Sequence, residues 1–275
     1  MAIKDILFHL DTSETAQSVS DFAVSLAHGA GAHLTAGAVA IQYLPPDDFV
    51  SLGSTQYLLD ITDKARQDAD EAYKRLLAAV PHGVQTDFVL IETLAAIARD
   101  RFGELARHFD LSVVGQGAPE TGSEDRLMVA GALFGSGRPV FIVPAKHKGP
   151  AKIDKPMVCW DGGAAAARAL AGALPLLARA TSVEIVRIAR GGKSPEELPG
   201  FNIARHLARH GIDAALRILP SGGDDGAALL AHATNSGADY MVMVGYGHWR
   251  YRELVFGGTT KTILTCMTLP VLMTH

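Results

Sequence analysis

Asp5-Ile-Leu-Phe-His-Leu-Asp11 is a short apolar stretch that ends in an aspartate, and Lys155-Pro-Met-Val-Cys-Trp-Asp161 repeats the pattern in the second half of the chain. Two further pairs of stretches recur in the same order: Phe109–Gly117 with Ala238–Gly247, and Arg138–Val143 with Leu269–Thr274. Three ordered matches indicate a duplicated unit. We therefore predict two domains, 1–148 and 152–275, joined within the polar stretch Lys146–Asp154.

Within each unit, apolar stretches alternate with segments of helical periodicity. The predicted strands are 5–10, 33–40, 86–91, 111–115 and 139–143, then 156–160, 182–188, 213–219, 239–244 and 270–274. The predicted helices are 14–29, 62–80, 94–107 and 124–134, then 164–178, 200–210, 224–236 and 256–266. Strands that are almost entirely apolar are typical of parallel sheets covered on both faces. The pattern predicts an α/β fold with two doubly wound five-stranded parallel sheets, each in the order 3-2-1-4-5.

Two features of the predicted fold lie outside its regular elements. Residues 41–61 lack periodicity, which predicts a surface loop. The last strand of each unit, 139–143 and 270–274, is apolar and is expected at the edge of its sheet. Unpaired backbone groups at such an edge favour strand pairing, so we expect these two strands to find partners.

The composition fits a folded protein in a reducing compartment. Of 275 residues, 48% are hydrophobic and 20% are charged, which excludes a disordered chain. Neither a membrane-spanning stretch nor a secretory signal is expected, because no 18 uncharged apolar residues are consecutive and the fifth residue is acidic. Cys159 and Cys266 lie in apolar surroundings, which predicts reduced, buried thiols and a cytoplasmic location.

The charges are distributed unevenly. The net charge of −4 gives no reason to expect nucleic-acid binding. Residues 1–150 contain 12 Lys and Arg against 19 Asp and Glu, whereas residues 151–275 contain 13 against 10. An anionic small molecule is therefore expected in the second unit.

The first and fourth strands of each unit are followed by polar or glycine-rich turns. Ligands of doubly wound sheets bind beyond the carboxyl ends of the strands where the winding reverses, which here lies between these two strands. The candidates are Asp161 and Gly162 after the first strand of the second unit, and Gly245 and Gly247 after its fourth. In the first unit the weaker candidates are Asp11 and Gly115.

The segment that follows Gly245 carries the clearest chemical signal. Gly258, Thr259 and Thr260 begin a predicted helix, where unpaired amides, hydroxyl groups and the helix dipole suit a phosphate. The alternative is two ordinary turns and a threonine N-cap.

Spacing in this segment resembles that of the universal stress proteins. ATP-binding members carry a glycine, two residues, a second glycine, nine residues, and then a glycine followed by Ser or Thr. Gly245, Gly258 and Thr259 fit this pattern, and His248 takes the place of the second glycine. The resemblance covers nearly the whole chain and implies an adenine-nucleotide alpha-hydrolase-like, flavodoxin-like topology. It also implies that ATP, ADP or AMP binds the second unit, with Asp161 at the nucleoside end.

Two departures from the family's glycine pattern change which nucleotides we expect to bind and in which unit. Because the ring of His248 could fill the space of a terminal phosphate, we expect AMP and ADP to bind no worse than ATP. The first unit fits the pattern poorly and is interpreted as a degenerate, non-binding copy. No metal site is predicted, since His206 and His210 lack the glutamate of a zinc motif, and a magnesium ion accompanying the nucleotide remains open.

The predicted function is that of a stress-response binding or signalling module with a nucleotide or related anion in the second unit. Two alternatives are a ligand-free protein interaction scaffold and a slow nucleotide hydrolase, for which His248 is the nearest candidate base. No catalytic residue is assigned, and protein partners are unknown. The resemblance implies that the two last strands pair as an internal pseudo-dimer, and a homodimer of the whole chain remains open.

Overall fold

The computed structural model describes residues 2–12, 17–42, 52–117, 124–189, 202–245 and 258–275. Their contacts divide the chain into two units. The first unit comprises Ile3–Arg138 with Lys148–Ala151, and the second comprises Pro139–His147 with Lys152–His275.

The first unit alternates strands and helices along the chain. Its elements are β1 (Asp5–His9), α1 (Gln17–Ala30), β2 (His33–Gln42), α2 (Leu52–Ala79), β3 (Thr86–Leu94), α3 (Ala95–Ala106), β4 (Leu111–Gly115) and α4 (Glu124–Gly135). The strands are parallel in the order β3-β2-β1-β4. Because β1, β2 and β4 consist mainly of buried side chains, the core of this unit lies on both faces of the sheet.

The second unit repeats this arrangement. Its elements are β5 (Val140–Val143), β6 (Pro156–Cys159), α5 (Ala164–Leu177), β7 (Val183–Ala189), α6 (Ile203–Arg209), β8 (Ala214–Pro220), α7 (Asp225–Ser236), β9 (Tyr240–Val244), α8 (Gly258–Cys266) and β10 (Val271–Thr274). The parallel order is β8-β7-β6-β9-β10. Strand β5 pairs antiparallel with β10 and belongs to this unit by its contacts.

The predicted α/β fold is confirmed. The strand order also agrees with the prediction of 3-2-1-4-5: the second unit has β8-β7-β6-β9-β10, and the first four strands of the chain have β3-β2-β1-β4. The domain boundaries at 148 and 152 stay predictions. No helix among the described residues is both long and apolar enough to span a bilayer.

One hydrogen-bond arrangement shows the duplication at atomic detail. In the first unit Asp110 Oδ2 accepts the backbone N–H groups of Lys4 and Asp5 at 2.8 and 3.2 Å. In the second, Asp239 Oδ2 accepts those of Asp154 and Lys155 at 3.0 and 2.9 Å. Each aspartate therefore ties the start of the fourth strand to the start of the first.

Two expectations about local structure are wrong. Residues 41–61 are not all loop, because β2 continues to Gln42 and α2 already begins at Leu52. A side-chain hydrogen bond of 2.8 Å from Gln56 to Asp60, four residues further on, supports these early turns, whereas the nearby apolar side chains of Tyr57 and Leu59 are exposed. Cys266 is exposed rather than buried, whereas Cys159 is half-buried, and both are free thiols.

Candidate functional site

Strands β6 and β9 are parallel neighbours, so their carboxyl ends lie at the same edge of the sheet. Val158 of β6 pairs with Val242 of β9. Asp161 follows the end of β6, and Gly245 follows the end of β9. The structure thus places these two predicted site residues at neighbouring strand ends of the second unit.

The turn after β6 is held by its own aspartate. Asp161 Oδ1 accepts the backbone N–H of Gly163 at 2.7 Å, and Gly163 is the N-cap residue of α5. Gly162 between them has a φ of +81°, a left-handed conformation that favours glycine. The Asp161 side chain is exposed to solvent, where its carboxylate can accept hydrogen bonds from ligand hydroxyl groups.

Gly245 is fixed by the last strand. Its N–H donates to the carbonyl of Thr274 at 2.9 Å, and its carbonyl accepts a hydrogen bond from His275 Nδ1 at 3.1 Å. The amide of Gly245 is therefore already engaged within the protein. Its role in the predicted site is to shape the turn, so amide donors must come from residues after it.

The first turn of α8 supplies the second part of the predicted site. Gly258 is exposed, and no atom lies within 4 Å of the position that a Cβ would take. Thr259 is half-buried, whereas Thr260 is buried with 6% exposure, so the Thr259 hydroxyl is the better placed donor. The first turn contains no acidic residue, so no carboxylate of that turn offsets the positive end of the helix dipole.

Helix α7 holds α8 in place through close contacts. Thr262 Oγ1 donates to Asp224 Oδ2 at 2.9 Å, and Asp224 Oδ1 accepts the N–H groups of Gly226 and Ala227. Three hydrogen bonds hold the pKa of Asp224 below its ordinary value. They come from the backbone N–H of Ala227, the hydroxyl of Thr262 and the backbone N–H of Gly226. A Cβ on Gly226 would lie 2.9 Å from the carbonyl oxygen of Thr259, so glycine permits the close approach.

Gly247 and His248 lie outside the described residues. Their predicted roles, and the expectation about terminal phosphates that rests on the His248 ring, stay predictions. The part of the predicted site that the structure describes consists of Asp161, Gly162, Gly245, Gly258, Thr259 and Thr260.

In the first unit the corresponding region contains a buried histidine held by two carboxylates, which the sequence did not predict. His9, at the end of β1, is 1% exposed and contacts Asp125 Oδ1 through Nδ1 at 3.2 Å and Glu124 Oε1 through Nε2 at 3.1 Å. Burial alone would lower the pKa of His9, but the hydrogen bonds and charges of Asp125 and Glu124 raise it to about 9. At neutral pH, His9 is therefore an imidazolium between two carboxylates.

This cluster occupies the place where an anion would approach the first unit. Glu124 and Asp125 form the first turn of α4, and a Cβ on Gly115 would lie 3.1 Å from Asp125 Oδ2. The chain's own carboxylates thus fill the region between Gly115 and the start of α4. This gives a physical basis for the prediction that the first unit is a degenerate, non-binding copy.

Asp11 lines a separate, acidic cavity of about 400 Å³ in the first unit. Asp68, Glu71 and Arg75 of α2 also line it, so three carboxylates face one guanidinium. Such a lining disfavours phosphate and favours hydroxyl or cationic groups. Among the residues that the structure describes, no cluster of three His, Cys, Asp or Glu could hold a metal ion.

Comparisons with known proteins agree with this architecture. No protein-family model matches the chain. Universal stress protein Slr1230 from Synechocystis sp. is 24% identical over 292 residues, which cover 98% of this chain and 99% of that protein. The chain spans nearly all of this relative.

Two solved structures share the fold over almost their whole length. A universal stress protein from Archaeoglobus fulgidus has a TM-score of 0.73 at 18% identity. The matched region covers 98% of this chain and 95% of that protein's chain. A candidate universal stress protein from Pseudomonas aeruginosa has a TM-score of 0.58 at 15% identity, with coverages of 99% and 93%. The chain is therefore similar in sequence and in fold to universal stress proteins over almost its whole length.

Proposed function

We propose that the second unit binds an adenine nucleotide, or a related anionic ligand, at the carboxyl ends of β6 and β9. The phosphate lies against the first turn of α8, with donors from the amides of Gly258, Thr259 and Thr260 and from the Thr259 hydroxyl. Asp161 accepts hydrogen bonds from the nucleoside end. The ligands are ATP, ADP or AMP. The protein acts as a stress-response binding module.

The difference between α4 and α8 carries this proposal. Helix α4 begins with Glu124 and Asp125, whereas α8 begins with Gly258 and two threonines and has no acid in its first turn. A phosphate is attracted by the free positive end of a helix and repelled by carboxylates placed there. The second unit is therefore the one suited to an anion.

Replacing Gly258 by valine should weaken nucleotide binding by at least about tenfold. Among the described residues, no atom lies within 4 Å of the Cβ position beside Gly258, so we expect the new side chain to obstruct a ligand on the helix terminus. Isothermal titration calorimetry of the wild type and of Gly258→Val with AMP, ADP and ATP measures the effect.

Gly222→Val is the matched control. Gly222 lies in the same unit and also has open space beside it, so its replacement should leave nucleotide affinity unchanged. Equal affinity in Gly258→Val and wild type would place the ligand elsewhere. If wild type binds none of the three nucleotides, the ligand-free scaffold is the better description.

Replacing Asp161 by asparagine tests the nucleoside end separately. The amide oxygen can still accept the N–H of Gly163, so the turn is kept while the carboxylate charge is removed. Binding of AMP should weaken, and binding of inorganic phosphate should not. Asp11→Asn is the control in the first unit, and an equal loss in both variants would contradict the assignment.

Three further matters are activity, assembly and location. A slow hydrolase would convert ATP during the titration, so product analysis by chromatography distinguishes it from a binding module. The internal pseudo-dimer and the cytoplasmic location also remain proposals. Sedimentation velocity distinguishes a monomeric chain from a homodimer.

A further inference from the structure

The acidic cavity of the first unit has the size of a small-molecule site. Its volume of about 400 Å³ lies within the range of roughly 300–1,000 Å³ that is typical of ligand pockets. Three parts of the chain line it: the residues that follow β1, the first turns of α1, and α2. We call it the α1–α2 cavity, and its lining includes Leu10, Ser20, Asp68, Glu71 and Arg75.

One face of α2 provides half of the lining. Counted from Asp68, the residues Glu71, Ala72, Arg75 and Leu76 follow at helical spacing, which places all five on the same side of the helix. Ala72 and Leu76 are buried, whereas Glu71 and Arg75 are exposed. The cavity therefore combines aliphatic groups in its interior with charged groups that reach solvent.

The charged side chains on this face of α2 are not paired with one another. Within the part of the chain that the structure describes, Asp68, Glu71 and Arg75 form no side-chain hydrogen bond or ion pair. With Asp11, the lining contains three carboxylates and one guanidinium, so negative charge is in excess. Residues 1–150 as a whole contain 12 Lys and Arg against 19 Asp and Glu. The cavity therefore attracts cations and repels anions.

Ser20 adds a buried polar group to this lining. It is 9% exposed, and its hydroxyl makes no hydrogen bond with any residue that the structure describes. Ser25 of the same helix shows the usual arrangement, since its hydroxyl donates to the carbonyl of Phe22 at 2.9 Å and accepts the N–H of Ala151 at 2.7 Å. A buried hydroxyl without a partner is costly, so a ligand N–H that donates to Ser20 would stabilise the complex.

These features distinguish between classes of ligand. A phosphate or carboxylate would be repelled, and a neutral polyol would leave the charges of Asp68 and Glu71 unpaired. A single metal ion needs converging ligands, and no group of three His, Cys, Asp or Glu among the described residues could hold one. A linear aliphatic amine with several ammonium groups fits both the buried aliphatic side chains and the separated carboxylates.

We propose that the α1–α2 cavity binds an aliphatic polyamine. The methylene groups of the amine pack on Leu10, Ala72 and Leu76, and its ammonium groups pair with the carboxylates of Asp68 and Glu71. Ser20 accepts a hydrogen bond from one N–H of the ligand. The first unit then binds a cation whereas the second binds an anion, and this inference does not depend on the nucleotide site.

Isothermal titration calorimetry of the full-length protein with spermidine tests the proposal. Wild type should bind spermidine saturably, and 1,8-octanediol, which is uncharged and of similar length, should not bind. The double variant Asp68→Asn, Glu71→Gln should bind spermidine at least about tenfold more weakly. Ser20→Ala should bind it about two- to tenfold more weakly, the effect of one hydrogen bond.

Matched controls on α2 separate the cavity from the general negative charge of the first unit. Asp70 is an exposed acid of the same helix outside the lining, so Asp70→Asn should leave the affinity unchanged. Arg75→Gln removes a like charge from the lining and should strengthen binding, whereas Lys74→Gln, outside the lining, should not.

Circular dichroism checks that each variant is folded. Absence of saturable spermidine binding by wild type would overturn the proposal, and so would equal binding of 1,8-octanediol. Equal affinities of wild type and the double variant would place the amine elsewhere. An equal loss in Asp70→Asn and the double variant would show that only the general charge of the unit attracts it.

Discussion

Replacing Gly131 by alanine should lower the free energy of unfolding by about 3 kcal/mol, the upper end of the usual cost of overpacking. Helices α3 and α4 approach each other through glycines. A Cβ on Gly131 would lie 2.3 Å from the carbonyl oxygen of Arg99, and one on Gly103 would lie 2.6 Å from the carbonyl oxygen of Gly131. These atoms belong to the backbone, so the helices must separate to admit a methyl group.

Urea titration of the full chain, followed by circular dichroism, measures this loss. The matched control is Gly29→Ala in α1, where no atom lies within 4 Å of the new Cβ. Alanine restricts the unfolded chain more than glycine does, so this control should be stabilised by about 0.5–1 kcal/mol. Equal shifts in the two variants would show that helix contact at Gly131 is not the cause.

The contact between α3 and α4 also affects the cluster of His9, Glu124 and Asp125. Helix α4 carries Glu124 and Asp125 in its first turn, and the rings of Phe102 of α3 and His9 are nearly perpendicular, with 5.7 Å between their centroids. Separation of the two helices would therefore loosen the surroundings of His9. The cluster thus holds the start of α4, and the glycine contacts hold its second half.

The sequence predicts the buried strands of this fold well. Strand β4 has the predicted bounds of 111–115, because its five residues are all buried and the stretch ends at a glycine. The start of α2 was not predictable by the same rule. Tyr57 and Leu59 are apolar but exposed, so the first turns of this helix lack the periodic apolar stripe on which the prediction depends.

The sequence likewise predicts one part of the candidate site and misses another. Asp161, Gly245 and Gly258 could be found because strand order and local spacing determine their positions. His9 could not, because it is one polar residue in an apolar strand and its partner Asp125 is 116 residues away. The only local signal was the acidic pair Glu124 and Asp125 at the start of a predicted helix, which is equally typical of an ordinary helix N-terminus.

His9 should make the stability of the first unit depend on pH above neutrality. Its pKa rises from 6.5 to about 9 on folding, which corresponds to up to about 3 kcal/mol of stabilisation by the imidazolium. Between these two values the folded state binds the proton and the unfolded state does not. The contribution is therefore fully present below pH 6.5 and is lost as the pH rises through about 9.

Urea titrations at several pH values between 6 and 10 test this expectation, with His9→Gln as the variant. Glutamine carries no titrating proton, so the fall in stability across this range should be present in wild type and absent in the variant. His33→Gln is the control, because the His33 side chain is 30% exposed and its contacts with Asp5 and Asp87 lie near the surface. It should keep the wild-type pH dependence. NMR titration of the His9 ring gives a direct reading, and a ring that is neutral at pH 7.5 would show that the two carboxylates do not hold its proton.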